Sequence, residues 1–368
     1  MKLTNILLAA LTAILILNSC KKDDVNVSGT GGVEGDARLN ISLKVSGEAT
    51  KAVDPEQQEG EAVVNNVTVV VFNETGTQLL ATPFRENVST TDGTISILNI
   101  PAQSTIARIV IVANTPENAF ANLTSYTDMQ SRLAQLADQA VANLTMSSQV
   151  IVSEAALLAG DNYLGYTSQG AENINGISEP LELTRLVARV DLKNVKTSFT
   201  SADLQGKSVR IDEISLQNVK TASHFFSEDY WGVVMATGNL STEDYPVSIA
   251  DNKKMISNGN PQTDVCRVYV MENQPADQNN STTLVIKATL VDNASGLDFG
   301  SQKKFASVIN LNGVVAEGDA HKYVKRNYVY RLNVNFTDSS FSDQVGNMVV
   351  NVEVVAWGGV NHQHPVID

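Results

Sequence analysis

The chain has 368 residues and a formal net charge of −14, with 26 Lys and Arg against 40 Asp and Glu. This length is sufficient for about two domains. An acidic chain with scattered basic residues is a poor partner for the phosphate backbone of nucleic acids. Four histidines and two cysteines leave few candidates for metal sites or for pairs of nucleophile and base. We therefore expect neither an enzyme nor a bound cofactor.

The first segment has the features of an export signal. Lys2 precedes an apolar run over residues 6–17, and the run ends at the sequence LNSC, residues 17–20. The run is shorter than the ~20 apolar residues that span a bilayer as a helix. Leu17 and Ser19 resemble positions of a bacterial lipobox, which predicts that residues 1–20 are a signal peptide and that Cys20 is acylated. The alternative is an ordinary signal peptide with an incidental cysteine.

An acylated Cys20 would leave Cys266 without a disulfide partner in the chain. Cys266 lies in the apolar run VCRVYV, residues 265–270. This setting favours a buried packing role over a reactive thiol.

The first predicted strand is residues 39–45, which follow a Gly- and Ser-rich tether over residues 25–36. Apolar and polar residues alternate strictly in this strand, so one face is apolar. The apolar positions are Leu39, Ile41, Leu43 and Val45. We expect a half-buried strand followed by an exposed polar loop over residues 47–61.

Strands dominate the rest of the chain. The predicted strands are 63–72, 106–113, 188–195, 208–216, 265–271, 282–291, 328–336 and 348–357. Residues 127–144 predict the one helix, with Thr127 or Asp128 as its N-cap. We therefore predict a mainly β fold with two β-sandwich domains that meet near Thr184, where the extended segment 181–190 connects them.

Histidine offers one candidate metal site. His362 and His364 would share one face of a strand, but the sequence identifies no further ligand, and an exposed tail is the simpler interpretation. His224 and His321 are isolated in the sequence. No serine lies in a nucleophile-elbow pattern, and no Gly-rich phosphate loop follows a strand and opens a helix.

Carbohydrate chemistry has little support in the sequence. The carboxylates are scattered through polar stretches, so we expect them to be solvated rather than paired as in a glycosidase. Trp231 and Tyr230 could stack on a sugar ring, although packing in the core or in a turn is the commoner role of such residues.

Several motifs occur in an order and spacing that resemble the fimbrillin-type (FimA-like, type V) pilins of Bacteroidales. These motifs are IVIVAN at 109–114, DNYLGY at 161–166, LTRLVAR at 183–189, RNYVY at 326–330 and VVAW at 354–357. The resemblance covers the chain almost from end to end. It implies two β-sandwich domains of transthyretin-like topology, residues 52–184 and 185–368, with one short helical segment in the first. Residues 21–51 would be a propeptide.

The resemblance also implies an assembly route. In that family an outer-membrane lipoprotein precursor is cut after a basic residue by a trypsin-like protease such as a gingipain. The first strand is lost, and the groove accepts the C-terminal strand of another subunit. The implied partners are other copies of the chain, accessory pilins and a receptor on a host or bacterial surface, and the implied location is an extracellular fimbria.

Three basic residues are candidates for that cut. Cleavage after Arg38 would leave the strand in place, and cleavage after Lys44 would require access inside it. Only Lys51 would release the whole strand, giving Ala52 as the new N-terminus. The family junction is typically Arg-Ala, so Lys51 points to a Lys-specific or general trypsin-like protease.

The predicted donor strand is residues 348–357. Its inward positions are Val350, Val352, Val354 and Ala356, which repeat the pattern of the first strand. The other interpretation is a permanent edge strand of the C-terminal domain. Accordingly, we expect a polymerising shaft subunit, with a non-polymerising tip, anchor or glycan-binding surface protein of the same fold as the alternative.

Overall fold

The computed structural model describes residues 35–45, 58–90, 93–225, 244–275, 277–313, 321–342 and 348–357. These residues form twenty β-strands, two short α-helices and several 3₁₀ turns. The predicted mainly β fold is confirmed. Within these ranges, none of the helices has the length and apolar character needed to cross a membrane.

Nine strands from the first half of the chain form one sheet. They are β1 (Ala37–Val45), β2 (Val64–Asn73), β3 (Phe84–Thr90), β4 (Thr94–Ala102), β5 (Ala107–Ala113), β7 (Met146–Ser147), β8 (Ile151–Val152), β9 (Gly160–Leu164) and β10 (Leu181–Arg185). The order is β3-β2-β5-β7-β10-β1-β4, and β8 and β9 pair with β5 and β1. Valine and isoleucine dominate β2 and β5, which suits strands buried on both faces.

The second half forms two further sheets. Their strands are β11 (Val187–Ser198), β12 (Lys207–Gln217), β14 (Tyr245–Val247), β15 (Met255–Ser257), β16 (Gln262–Met271), β17 (Thr283–Asp292), β18 (Lys303–Val308), β19 (Tyr328–Thr337) and β20 (Val349–Ala356). One sheet has the order β16-β11-β19-β20, and the other has the order β14-β12-β17-β18 with β15 beside β12. Helix α2 (Ala202–Gln205) connects β11 to β12.

A single residue, Leu186, separates β10 of the first sheet from β11 of the second. Leu186 is fully buried, and its N–H donates to the carbonyl of Thr145. The extended segment expected over residues 181–190 is therefore present. It carries the chain directly from one sheet to another, without a flexible linker.

The predicted helix over residues 127–144 is wrong in its length. Helix α1 covers only Tyr126–Ser131, and its N-cap is Ser125, whose side chain accepts from the N–H of Asp128. The chain then becomes extended as β6 (Leu133–Gln135), which pairs with β13 (Ala222–His224). These inter-strand hydrogen bonds satisfy backbone groups that a longer helix would have paired internally, so tertiary pairing overrides the helical spacing.

Candidate functional site

Strand β1 lies inside its sheet and has neighbours on both sides. It pairs antiparallel with β4 along most of its length. On the other side it pairs parallel with β9 at its first half and with β10 at its second half. Removal of β1 would therefore leave a groove bordered by three strands, each with unpaired backbone groups.

The structure brings together the four apolar positions that the sequence assigns to this strand. Leu39, Ile41 and Leu43 have no exposed surface, and Val45 is 2% exposed. Most of their cross-strand neighbours are also apolar, although Leu39 faces Asn162 of β9. The paired positions are Leu39 with Ile100, Ile41 with Ile97, Leu43 with Ile95 and Leu181, and Val45 with Leu183. The apolar face of β1 is part of the core.

The middle of the opposite face of β1 is buried as well, which corrects the expectation of a half-buried strand. Asn40 is 7% exposed and Ser42 is 3% exposed. Asn40 Oδ1 accepts from the N–H of Asn99, a residue with φ of 57° at a register shift in β4. Gly165 lies so close that a Cβ there would be 2.7 Å from the carbonyl oxygen of Ser42. Asn40 and Ser42, the polar residues in the middle of this face, are therefore covered by other parts of the chain.

Two ion pairs join β1 to its parallel neighbours. Arg38 Nε lies 2.8 Å from Asp161 Oδ1, and the two residues are in register between β1 and β9. Lys44 Nζ lies 3.4 Å from Glu182 Oε1, again in register, between β1 and β10. The Lys44 pair is the more shielded of the two. Burial raises the pKa of Glu182, and Lys44 opposes that shift.

The predicted lipidation and cleavage sites lie outside the described residues. Cys20 precedes them, and Lys51 and Ala52 fall between residues 45 and 58. His362, His364, Trp231 and Tyr230 also lie outside. Among the described residues there is no group of three or more His, Cys, Asp or Glu side chains placed to hold a metal ion.

Glu61, which the sequence places at the end of an exposed loop, is fully buried. Its carboxylate accepts hydrogen bonds from Arg189 Nη1 at 2.8 Å, from the hydroxyl of Tyr269 at 2.7 Å and from the N–H of Gln58 at 3.0 Å. The expectation that carboxylates are solvated is wrong here. The buried arginine in β11 and the tyrosine in β16 compensate for the lost hydration of Glu61.

Two arginines of the motif LTRLVAR extend this buried cluster to Trp357, directly after the last of the described strands. Arg185 and Arg189 have no exposed surface. Their guanidinium groups lie 4.7 and 5.4 Å from the ring centroid of Trp357, and Tyr269 stacks on the same ring. In the sequence this motif is a family landmark, and its buried contacts are not predicted. Two arginines among the apolar residues of an extended segment were the available signal of buried ion pairs.

Burial also changes the chemistry of two side chains in β16. It raises the pKa of the Tyr269 hydroxyl well above its ordinary value, and the hydrogen bond and charge of Glu61 add to this shift. The Cys266 thiol is half-buried, packs against the core, and has a pKa raised to about 12 by burial. Such a thiol is protonated near neutral pH, which agrees with the predicted packing role.

The predicted donor strand is an edge strand here. Among the described strands, β20 pairs only with β19, in antiparallel register from Tyr328 with Ala356 to Asn335 with Val349. The predicted inward residues Val350, Val352 and Ala356 are half-buried, and Val354 is buried. The alternate residues Asn351 and Glu353 are exposed. Trp357, directly after the strand, is 2% exposed.

Comparison with known families divides the chain into two matched segments. The sequence model of the major fimbrial subunit protein (FimA) matches residues 37–185. The model described as "Fimbrium tip subunit Fim1C-like, C-terminal domain" matches residues 186–357. The resemblance inferred from the sequence motifs is therefore confirmed.

Individual relatives agree with these matches. The chain is 41% identical to a "putative fimbrium tip subunit Fim1C" of Parabacteroides distasonis, over 100% of this chain and 99% of the relative. The crystal structure of a "putative cell adhesion protein" from the same species is 40% identical, with a TM-score of 0.77 over 89% of this chain and 99% of that one. A fimbrilin from Porphyromonas gingivalis, 17% identical, shares the fold with a TM-score of 0.61 over 89% of this chain and 99% of that one.

Proposed function

This chain belongs to the family of fimbrium subunits that includes Fim1C and FimA, and we propose that it accepts a strand of another subunit in place of its own β1. The observation that carries the proposal is the position of β1 between β4 on one side and β9 and β10 on the other. A strand in this position can be replaced only by another strand with the same alternation.

Replacement is favourable because the groove is apolar. Each of the four side chains that leave is worth about 1.5–3 kcal/mol of burial, or about 6–12 kcal/mol together before entropic costs. An incoming strand recovers this burial through its own alternate side chains and recovers the hydrogen bonds of the open edges through its backbone.

Export and activation are the next part of the proposal. Acylation of Cys20 would hold the precursor in the outer membrane, and a cut between Lys51 and Ala52 would separate β1 and the lipid from the rest of the chain. One cleavage by a Lys-specific or general trypsin-like protease would thus open the groove and release the subunit. The remaining domains would be residues 52–184 and 185–368.

We place the subunit at the fimbrial tip, which differs from the shaft position expected from the sequence. The 41% identity to a tip subunit over the whole chain supports this position. A tip subunit needs to accept a strand but does not need to donate one. The burial of Trp357 under Arg185 and Tyr269 is in keeping with a β20 that stays in its own sheet.

A shaft position is the second candidate, with Val350, Val352, Val354 and Ala356 as the donor residues. The edge position of β20 and its alternating pattern favour it. In that case the C-terminal strand would leave β19 and enter the groove of the next copy, and a head-to-tail contact of this kind builds a filament.

The test uses the purified precursor and a Lys-specific protease, with cleavage verified by an N-terminal sequence that starts at Ala52. The protease is then inhibited, and a labelled peptide of residues 36–45 is added in excess. We expect uptake of the peptide by the cleaved chain and none by a Lys51→Ala variant. Absence of peptide uptake after complete cleavage would contradict the proposal that the chain accepts a strand in place of β1.

The same cleaved chain distinguishes the two positions in the fimbria. Ladders that resist mild denaturation would identify a shaft subunit, whereas a monomer that takes up peptide would identify a tip subunit.

A further inference from the structure

The groove occupied by β1 has charges of one sign at two fixed places. Asp161 of β9 faces Arg38, and Glu182 of β10 faces Lys44. Both carboxylates stay in the chain when β1 leaves, and both basic partners leave with it. The emptied groove would therefore keep two carboxylates whose pairing partners were six residues apart on the removed strand.

The two ion pairs differ in how far they are shielded from water, so the loss of the basic partner affects the two carboxylates unequally. The side chains of Lys44 and Glu182 are 17% and 23% exposed, while those of Arg38 and Asp161 are about half exposed. An exposed pair contributes little, because water and salt screen it. A shielded carboxylate that loses its partner and is covered again by an uncharged strand pays a desolvation cost that no new charge offsets.

The chain's own β20 does not supply the missing charges. Residues 348–357 contain no Lys or Arg and contain one acidic residue, Glu353. When Val350, Val352, Val354 and Ala356 are placed on the positions of Leu39, Ile41, Leu43 and Val45, valines replace both Arg38 and Lys44. No other register provides a cation, because the segment has none.

The same alignment creates a second mismatch at a buried position. Glu353 falls on the position of Ser42, which is 3% exposed. A glutamate at so buried a position would lose its hydration, and it would add a third carboxylate to the groove. Asn351 does match Asn40, so the hydrogen bond to the N–H of Asn99 could be kept.

We propose that the groove selects a donor strand with basic residues at the positions of Arg38 and Lys44, and that this strand belongs to a different subunit rather than to a second copy of this chain. This inference rests on the proposed strand replacement and adds the chemistry of the partner. The expected donor has four alternate apolar residues, a small or amide side chain at the positions of Asn40 and Ser42, and two cations six residues apart.

The test measures peptide affinity for the chain cleaved at Lys51. The basic probe is the peptide of residues 36–45, and the neutral probe carries Arg38→Gln and Lys44→Gln. A third probe is the peptide of residues 348–357, and a fourth is that peptide with Val349→Arg, Glu353→Ser and Val355→Lys. We expect the basic probe to bind about tenfold more tightly than the neutral probe in 0.15 M salt (about 1.4 kcal/mol), and the fourth probe to bind more tightly than the third.

Variants of the protein assign the effect to the two carboxylates. In a chain with Asp161→Asn and Glu182→Gln, the basic and neutral probes should bind equally. The matched control is Glu179→Gln, an exposed acidic residue three positions before Glu182, which should keep the difference.

The outcomes separate this inference from the proposal on which it rests. Equal binding of basic and neutral probes by the unchanged groove, or binding of the 348–357 peptide as tight as that of the basic probe, would overturn the charge selection and leave strand replacement intact. Failure of all four probes to bind would overturn both.

Discussion

Glu61 and Arg189 form an ion pair of 2.8 Å in which neither side chain has any exposed surface. Glu61 lies in the segment before β2, and Arg189 lies in β11, so the pair joins the segment that leads into the first sheet to a strand of the second half of the chain. Arg189 also contacts the Asp191 carboxylate at 3.1 Å. Charges buried in this way stabilise a fold only while each keeps its partner, because the cost of dehydration remains when a partner is removed.

Loss of the Glu61 charge should therefore destabilise the protein strongly. We expect Glu61→Gln to lower the free energy of unfolding by about 3 kcal/mol, since Arg189 would stay buried with less compensation. Urea denaturation at pH 7 measures the loss. Glu59→Gln, two residues earlier and exposed, is the control and should change stability by less than about 0.5 kcal/mol. Similar stabilities of the two variants would contradict a structural role for the ion pair.

The strands could be predicted from sequence because their signals are local. The alternating pattern correctly predicted the four buried apolar residues of β1. Runs of β-branched residues predicted the bounds of β2, β5 and β11 to within a few residues. The burial of Asn40 and Ser42 could not be predicted, since it depends on residues distant in the sequence such as Asn99, whose N–H binds the Asn40 side chain. Alternation in the sequence identifies the apolar face of a strand. Whether the polar face is also buried depends on tertiary contacts with other parts of the chain.

The polar cluster was missed for a related reason. Glu61 follows a polar stretch, and its partners Arg189 and Tyr269 are more than 100 residues distant. Nothing within a local window shows that they meet. The helix error has the same origin, because residues 133–135 pair with Ala222–His224, which the sequence had not assigned to a strand.

Gly165 should tolerate a side chain less well than Gly160. Both residues have positive φ, of 86° and 97°, so alanine is strained at either position. At Gly165 the new Cβ would also lie 2.7 Å from the carbonyl oxygen of Ser42, whereas at Gly160 it would meet nothing within 4 Å. We expect Gly165→Ala to cost about 1–3 kcal/mol more than Gly160→Ala in urea denaturation. Equal losses would show that β1 can shift away from residue 165 freely.

The Cys266 thiol should make stability depend on alkaline pH. Its pKa is raised from an ordinary value of 9.0 to about 12 in the folded chain. As the pH rises above 9 the unfolded chain loses the thiol proton first, so the unfolded state binds fewer protons and stability falls until about pH 12. Urea midpoints at pH 8 and pH 10 measure this fall. Cys266→Ala should reduce it and Cys20→Ser should not, and an unchanged fall in Cys266→Ala would assign the effect to other groups such as Tyr269.

Trp357 should anchor the end of β20 far more strongly than the first residue of that strand. Its ring is 2% exposed and contacts Arg185, Arg189 and Tyr269, whereas Val349 at the other end is 46% exposed. We expect Trp357→Ala to lower the free energy of unfolding by about 3–5 kcal/mol and Val349→Ala to change it by less than about 0.5 kcal/mol. Hydrogen exchange of β20 amides provides the second measurement, because loss of the anchor should speed exchange in β20 before it affects β11. Slow exchange of β20 in Trp357→Ala would mean that pairing with β19 alone holds the strand in place.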